Sequence, residues 1–157
     1  MIAHDDTMNE STVTDAHPVT LHVYLGYRDA SSALDWLQRA FGFEVTMQFP
    51  DEQGGLAHAE LRLGDAAIVV FSDHDGYDYP ARKGDTVGHG VYLSVPEVAD
   101  VDTVFTTAMA AGATEIWKPE ASEWNYRCRV SDPEGREWTF GTHRPGKSAN
   151  SGNWSDN

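Results

Sequence analysis

The sequence predicts an α+β fold: two tandem βαβββ units forming a curved mixed sheet with a cleft, with helices on the outer faces. Three observations carry this. Apolar residues alternate in several short runs, the period of half-buried strands. Two stretches place apolar residues at helical spacing, each behind the first strand of a half. The halves also repeat one another: His22-Val23-Tyr24-Leu25 aligns with His89-Gly90-Val91-Tyr92-Leu93, allowing one extra residue. Arg39-Ala40-Phe41-Gly42-Phe43-Glu44-Val45 aligns in the same way with Met109-Ala110-Ala111-Gly112-Ala113-Thr114-Glu115-Ile116. Neither unit can bury its apolar face alone, so the two pair.

Residues 1–17 are polar and acidic without a period, and read as a disordered arm. From Val19 to Tyr27, Leu21, Val23 and Leu25 alternate with His22, Tyr24 and Gly26, giving the first strand. Asp29 stands at an N-cap position. Ala33, Leu34, Trp36, Leu37, Ala40 and Phe41 follow at helical spacing, so a helix runs from Ala30 to Phe41 and Gly42 stops it. Strands follow at Phe43–Phe49, Leu56–Leu63 and Ala66–Ser72, separated by turns at 50–55 and at Gly64-Asp65. Residues 73–88 are rich in Asp, Gly, Tyr and Pro and long for a loop, which marks a linker or a functional lid.

The second unit repeats the order: a strand at His89–Val95, a helix at Val101–Ala111, and strands at Thr114–Lys118, Tyr126–Ser131 and Glu137–Thr142. Asp132-Pro133-Glu134-Gly135 joins the last two strands. Pro133 presets φ for the second turn position, and Gly135 accepts a positive φ. Past Arg144 the chain is Pro, Gly, Ser and Asn, read as a disordered tail over 145–157. The domain therefore spans 18–144, with units at about 18–73 and 88–143.

Charge and composition exclude several functions. A net charge of −14 over 157 residues argues against nucleic acid and anionic membranes as partners. No apolar run is long enough to span a bilayer. No basic-then-apolar leader opens the chain, and its single cysteine, Cys128, cannot form an intrachain disulfide. A cytoplasmic, acidic protein is expected, with Cys128 as a small buried apolar residue.

The motifs together resemble the vicinal oxygen chelate superfamily of glyoxalase I, extradiol dioxygenases, fosfomycin resistance enzymes and bleomycin resistance proteins. The residues that carry the resemblance are Arg28-Asp29-Ala30, Trp36 and Ala40-Phe41-Gly42-Phe43 of the first helix, the Gly64-Asp65 hairpin, Gly88-His89-Gly90-Val91-Tyr92-Leu93-Ser94-Val95, and Asp132-Pro133-Glu134-Gly135 with Trp138. In metal-dependent members, four cleft-facing strands each give one ligand. The resemblance places these positions at His22, Val69, His89 and Thr139. Two histidines are kept. The two usual carboxylate positions hold Val69, which cannot ligate, and Thr139, a poor ligand.

With half the ligand set lost, no cofactor is expected. The alternative is a divalent metal (Zn, Ni, Fe or Mn) on His22, His89 and a displaced carboxylate, Glu137. Glu60 or His58 on the third strand is a further donor within reach of the cleft. The resemblance implies a cleft lined by His22, Tyr24, Val69, His89, Trp117, Trp124, Tyr126, Glu137 and Thr139. Aromatic residues mark its rim, Tyr77 and Tyr79 included, and Trp36, Trp138 and Phe140 belong to the core. Acidic neighbours (Asp73, Asp75, Asp78, Glu120, Glu123) suit a flat or cationic organic ligand.

The expected function is that of a glyoxalase/bleomycin-resistance-like protein that binds or sequesters an organic ligand without metal catalysis, as a homodimer. The alternative is a metal-dependent lyase, isomerase or dioxygenase of the glyoxalase type.

Overall fold

A computed structural model describes residues 19–74 and 90–146. The expected arm at 1–17, nearly all of the 73–88 loop, the tail from residue 147, and His89, Tyr77 and Tyr79 lie outside the described residues. The elements are β1 (Tyr24–Tyr27), α1 (Ala30–Phe41), β2 (Glu44–Pro50), β3 (Leu56–Leu63) and β4 (Ala66–Ser72). The second half gives β5 (Val91–Ser94), α2 (Val98–Ala110), β6 (Thr114–Ala121), β7 (Tyr126–Ser131) and β8 (Glu137–Gly141).

The repeat is plain in the topology. One four-stranded sheet runs β1-β4-β3-β2 and the other β5-β8-β7-β6. In each, the first strand of the unit pairs parallel with the last, Tyr24 with Val69 and Val91 with Trp138, and the remaining pairs are antiparallel.

Three element bounds differ from the sequence reading, each for a physical reason. β1 begins at Tyr24 rather than Val19: its ladder with β4 starts at the Tyr24–Val69 pair, and Val19 and Leu21 ahead of it stand fully or nearly exposed, without the burial that would hold them in a strand. α2 begins three residues earlier than predicted, because the Asp100 carboxylate accepts the Glu97 N–H at 2.9 Å and fixes the first turn. β6 continues through Pro119. It is an edge strand, where a missing N–H costs no ladder bond, and the register breaks between Trp117 and Glu120.

Alternation assigns each strand residue to a face. Ala59, Leu61, Ile68 and Val70 of the first sheet, and Cys128, Val130, Trp138 and Phe140 of the second, are buried in one core with both helices. The halves meet chiefly through α1 against α2, where Trp36 Nε1 donates to Ala111 O at 2.7 Å. Phe41 carries α1 onto the second sheet, its ring centroid 5.0 Å from Trp138 and 4.9 Å from Phe140. Trp36, Trp138 and Phe140 are core residues, as expected.

The Asp132–Gly135 turn fastens the second half to the first. Gly135 N donates to Asp132 O at 2.8 Å, and Gly135 has φ +92°, the conformation the turn needs. Asp132 is a buried hub. Its Oδ2 accepts from Tyr27 Oη at 2.6 Å and Trp138 Nε1 at 3.1 Å, while Oδ1 accepts from Glu134 N and Arg136 N. Glu134 reaches further. Its two carboxylate oxygens accept the N–H groups of Arg28 and Asp29 at 2.8 and 2.9 Å, where the chain turns into α1. Asp29 itself is the N-cap of that helix, accepting from Ser32 N at 3.1 Å. Arg136 Nη2 donates to Gly26 O at 2.6 Å.

Cys128 is fully buried, and desolvation pushes its thiol up to about 11. Burial, reinforced by the charge of Asp132, likewise holds the Tyr27 phenol well above its usual value. Both groups keep their protons in the fold at a pH where the unfolded chain gives them up. Their effect on stability is therefore nil at neutral pH and unfavourable as pH rises from the ordinary thiol value near 8.5 towards 11. We expect the unfolding free energy to fall across that window, and Cys128→Ala to flatten part of the fall. A thiol reagent at pH 8 should label Cys128 only at the rate of global unfolding.

Candidate functional site

The faces opposite the core are the candidate binding surfaces. On the first sheet, the face shared by His22, Tyr24, Val69, Glu60, Met47, His58, Phe71 and Phe49 follows from the strand register. Tyr24 is 73% exposed, Phe49 54% and Met47 41%, far above what a packed sheet face shows. Tyr24 stacks edge-on against Phe71 at 6.3 Å. His58 Nε2 lies 2.8 Å from Glu60 Oε2. This is an apolar platform with one polar pair on it.

The second sheet offers a different face. β7 alternates, so Arg127 and Arg129 project opposite to Cys128 and Val130, and on β8 Glu137 and Thr139 share their side. Arg129 is 5% exposed. Its Nε donates to Glu137 Oε1 at 2.8 Å and its Nη1 to Thr139 Oγ1 at 2.6 Å. Gly90 is a close approach: a Cβ there would stand 2.6 Å from Arg129 Nη2, so a larger residue would displace the guanidinium. Trp117 of β6, the cross-strand partner of Arg129, lies under both arginines, with guanidinium carbons 4.4 Å (Arg127) and 5.6 Å (Arg129) from its ring centroid.

The expected site residues fall as follows. His22 and Tyr24 stand at β1, and Val69 faces the same way on β4. Trp117, Glu137 and Thr139 gather on the second sheet around Arg129. Trp124 sits just outside, 46% exposed, with its ring 4.5 Å from that of His143. Tyr126 is placed otherwise than expected. It shares the parity of Cys128, packs against the core, and its hydroxyl donates to Asp102 of α2 at 2.7 Å. His89 lies outside the described residues.

Three contributors were not anticipated. Arg127 and Arg129 were legible as alternating partners of Cys128 and Val130, although arginine on a strand reads first as a solvated residue. Asn125 is the third. It is buried, its Oδ1 accepts from Thr142 N and His143 N at 3.0 Å each, and Tyr92 Oη completes the group by donating to His143 O at 2.7 Å. No local motif announces it.

The described positions of the donor set do not fit a chelated metal. Val69 offers no lone pair, and the Thr139 hydroxyl already accepts from a guanidinium. His22 has both ring nitrogens engaged, Nδ1 at 2.9 Å from Ala67 O and Nε2 at 2.8 Å from Thr20 Oγ1. Glu137 is spent on Arg129. Among the described residues, no three His, Cys, Asp or Glu side chains converge.

Residues 20–140 match the Glyoxalase/Bleomycin resistance protein/Dioxygenase superfamily. The chain belongs to that superfamily. An uncharacterized protein of Mycobacterium bovis is 31% identical over 123 residues, 77% of this chain and 81% of that protein. TioX from Micromonospora sp. ML1 is similar at 30% identity and a TM-score of 0.62, over 81% of this chain and 100% of that one. A glyoxylase/bleomycin resistance protein/dioxygenase domain from Frankia sp. EAN1pec shares the fold at 19% identity and a TM-score of 0.66, over 84% and 96% of the two chains. The tandem βαβββ architecture is thus that of the superfamily. Among the described residues of this family member, no helix is long and apolar enough to cross a membrane.

Proposed function

We propose that this superfamily member binds a small organic ligand on the face of its second sheet opposite the core and holds it without metal catalysis. One observation carries the reading: the Arg129 guanidinium is bonded to Thr139 and Glu137, where a metal centre would need anionic donors. With Glu137 held by Arg129 and the Thr139 hydroxyl accepting from the same guanidinium, this face offers no free carboxylate base for glyoxalase-type chemistry. The Trp117 platform of the second sheet supports a planar ligand.

Calorimetric titration of chelator-stripped protein with Ni²⁺, Zn²⁺, Fe²⁺ and Co²⁺ tests this. The expected outcome is no one-to-one binding at micromolar concentrations. Micromolar binding that disappears in His22→Ala would restore the metal-dependent lyase, isomerase or dioxygenase reading.

The binding unit in this proposal is a homodimer. Its support is the apolar face around Tyr24, Met47 and Phe49, which a second copy would cover. Light scattering behind a sizing column should return twice the chain mass. Phe49→Glu should shift the protein towards monomer; a monomeric parent protein would end this part of the reading.

A further inference from the structure

Among the described residues, the second sheet carries a cation without an acceptor. Arg127 takes part in none of the ion pairs among the described residues, and its Nη1 is buried with no hydrogen-bond partner. Its cross-strand neighbours do not supply one: Gly141 has no side chain, and Glu120 is not within ion-pair distance. What holds the guanidinium is the Trp117 ring, 4.4 Å beneath it.

Arg129, on the same ring, differs in kind, because Glu137 neutralises it. A buried guanidinium donor without an acceptor is unfavourable by about 1–3 kcal/mol. A sequence with 25 acidic residues has ample means to remove that defect. A binding face is where such a donor acquires a use, since its acceptor then arrives with the ligand.

We propose that Arg127, backed by Trp117, takes the carboxylate of a planar organic acid lying on the open face of the second sheet. This rests on the ligand-binding reading above and gives the ligand its chemical class. Guanidinium and carboxylate match as a two-point hydrogen-bonded pair, and the ring beneath fixes the guanidinium plane before binding. The same geometry weakens the case for a cationic ligand here. The face of Trp117 that a cation would seek is already occupied by the protein's own arginines.

Three probes of one shape separate the outcomes: 2-naphthoate, 2-naphthamide and 2-naphthylmethylamine, titrated by calorimetry into the full chain and into Arg127→Gln. The wild type should bind the carboxylate about tenfold more tightly than the amide, the scale of a charge-assisted pair, and the amine most weakly. Arg127→Gln should bring the carboxylate down to the level of the amide, with a cooperative thermal melt showing that the variant is folded. Arg127→Lys should keep the carboxylate ahead of the amine. Equal binding of carboxylate and amide by the wild type, or a preference that survives in Arg127→Gln, overturns the assignment while leaving ligand binding intact. If none of the three binds at millimolar concentration, the ligand-binding reading falls, and this assignment with it.

Discussion

Asp132→Ala should lower the stability of the protein by about 3 kcal/mol or more, a fall in unfolding midpoint of roughly 10 °C for a chain of this size. The reason is the company the carboxylate keeps. Four donors converge on it: the Tyr27 hydroxyl, the Trp138 indole, and the N–H groups of Glu134 and Arg136. Asp132 is only 3% exposed, so water cannot replace what alanine removes. Burial raises the Asp132 carboxyl above its ordinary value, the hydrogen bonds drawing it back only in part. Its desolvation therefore opposes folding, yet the loss on truncation is large because orphaned donors are left behind. Asp132→Asn is the discriminating control. Asparagine keeps one acceptor oxygen and turns an NH₂ towards two donors, so it should fall between wild type and alanine. An alanine variant as stable as wild type in thermal melts would show that this turn does not tie the halves together.

Phe41→Ala should cost about 3–5 kcal/mol, the range for a buried aromatic truncated without collapse of its site. Phe41 is 6% exposed and meets Trp36 at 5.1 Å, Phe43 at 6.4 Å, Trp138 at 5.0 Å and Phe140 at 4.9 Å between ring centroids. It is one ring from the first unit set among others from both. The void would lie between the helix of one unit and the last strand of the other. Urea denaturation checks the value. The shape of the transition is a second readout: if Phe41 couples the units, the variant should unfold less cooperatively, with a lower m-value, than a variant truncated inside one unit, such as Leu61→Ala.

How far the sequence discloses this molecule depends on the kind of residue. α1 is legible to the residue, because Asp29 and Gly42 bracket a clear apolar stripe, with Gly42 at φ +87°. The start of α2 is harder to read, since its first turn is fixed by Asp100 from inside the helix rather than by a side chain ahead of it. The faces of β8 follow from alternation, and Trp138 and Phe140 take the core as that pattern requires. Tyr126 shows the limit. Period two separates faces, but not which of them is open, and an aromatic residue at a strand end suits either. Arg127 and Arg129 obey the same alternation. Their importance is invisible until Glu137, Thr139 and Trp117 are brought beside them from other strands. Glu134 is a similar case: nothing local in Pro133-Glu134-Gly135 says that its carboxylate serves a helix in the other unit.

That helix start has a consequence for the order in which the protein is made. Glu134 and the Asp29 N–H it receives are 105 residues apart in the chain. At typical elongation rates, the ribosome takes about 5–20 s to cover that distance. During that interval all strands of the first sheet have been synthesised, while the peptide groups leading into α1 and the hydroxyl of Tyr27 still await their acceptors. The first unit therefore emerges as an unfinished piece, and the turn that completes it is translated only near the end of the second unit. A chain cut short before Asp132 should be a substrate for chaperones and proteases rather than a half-sized binding protein.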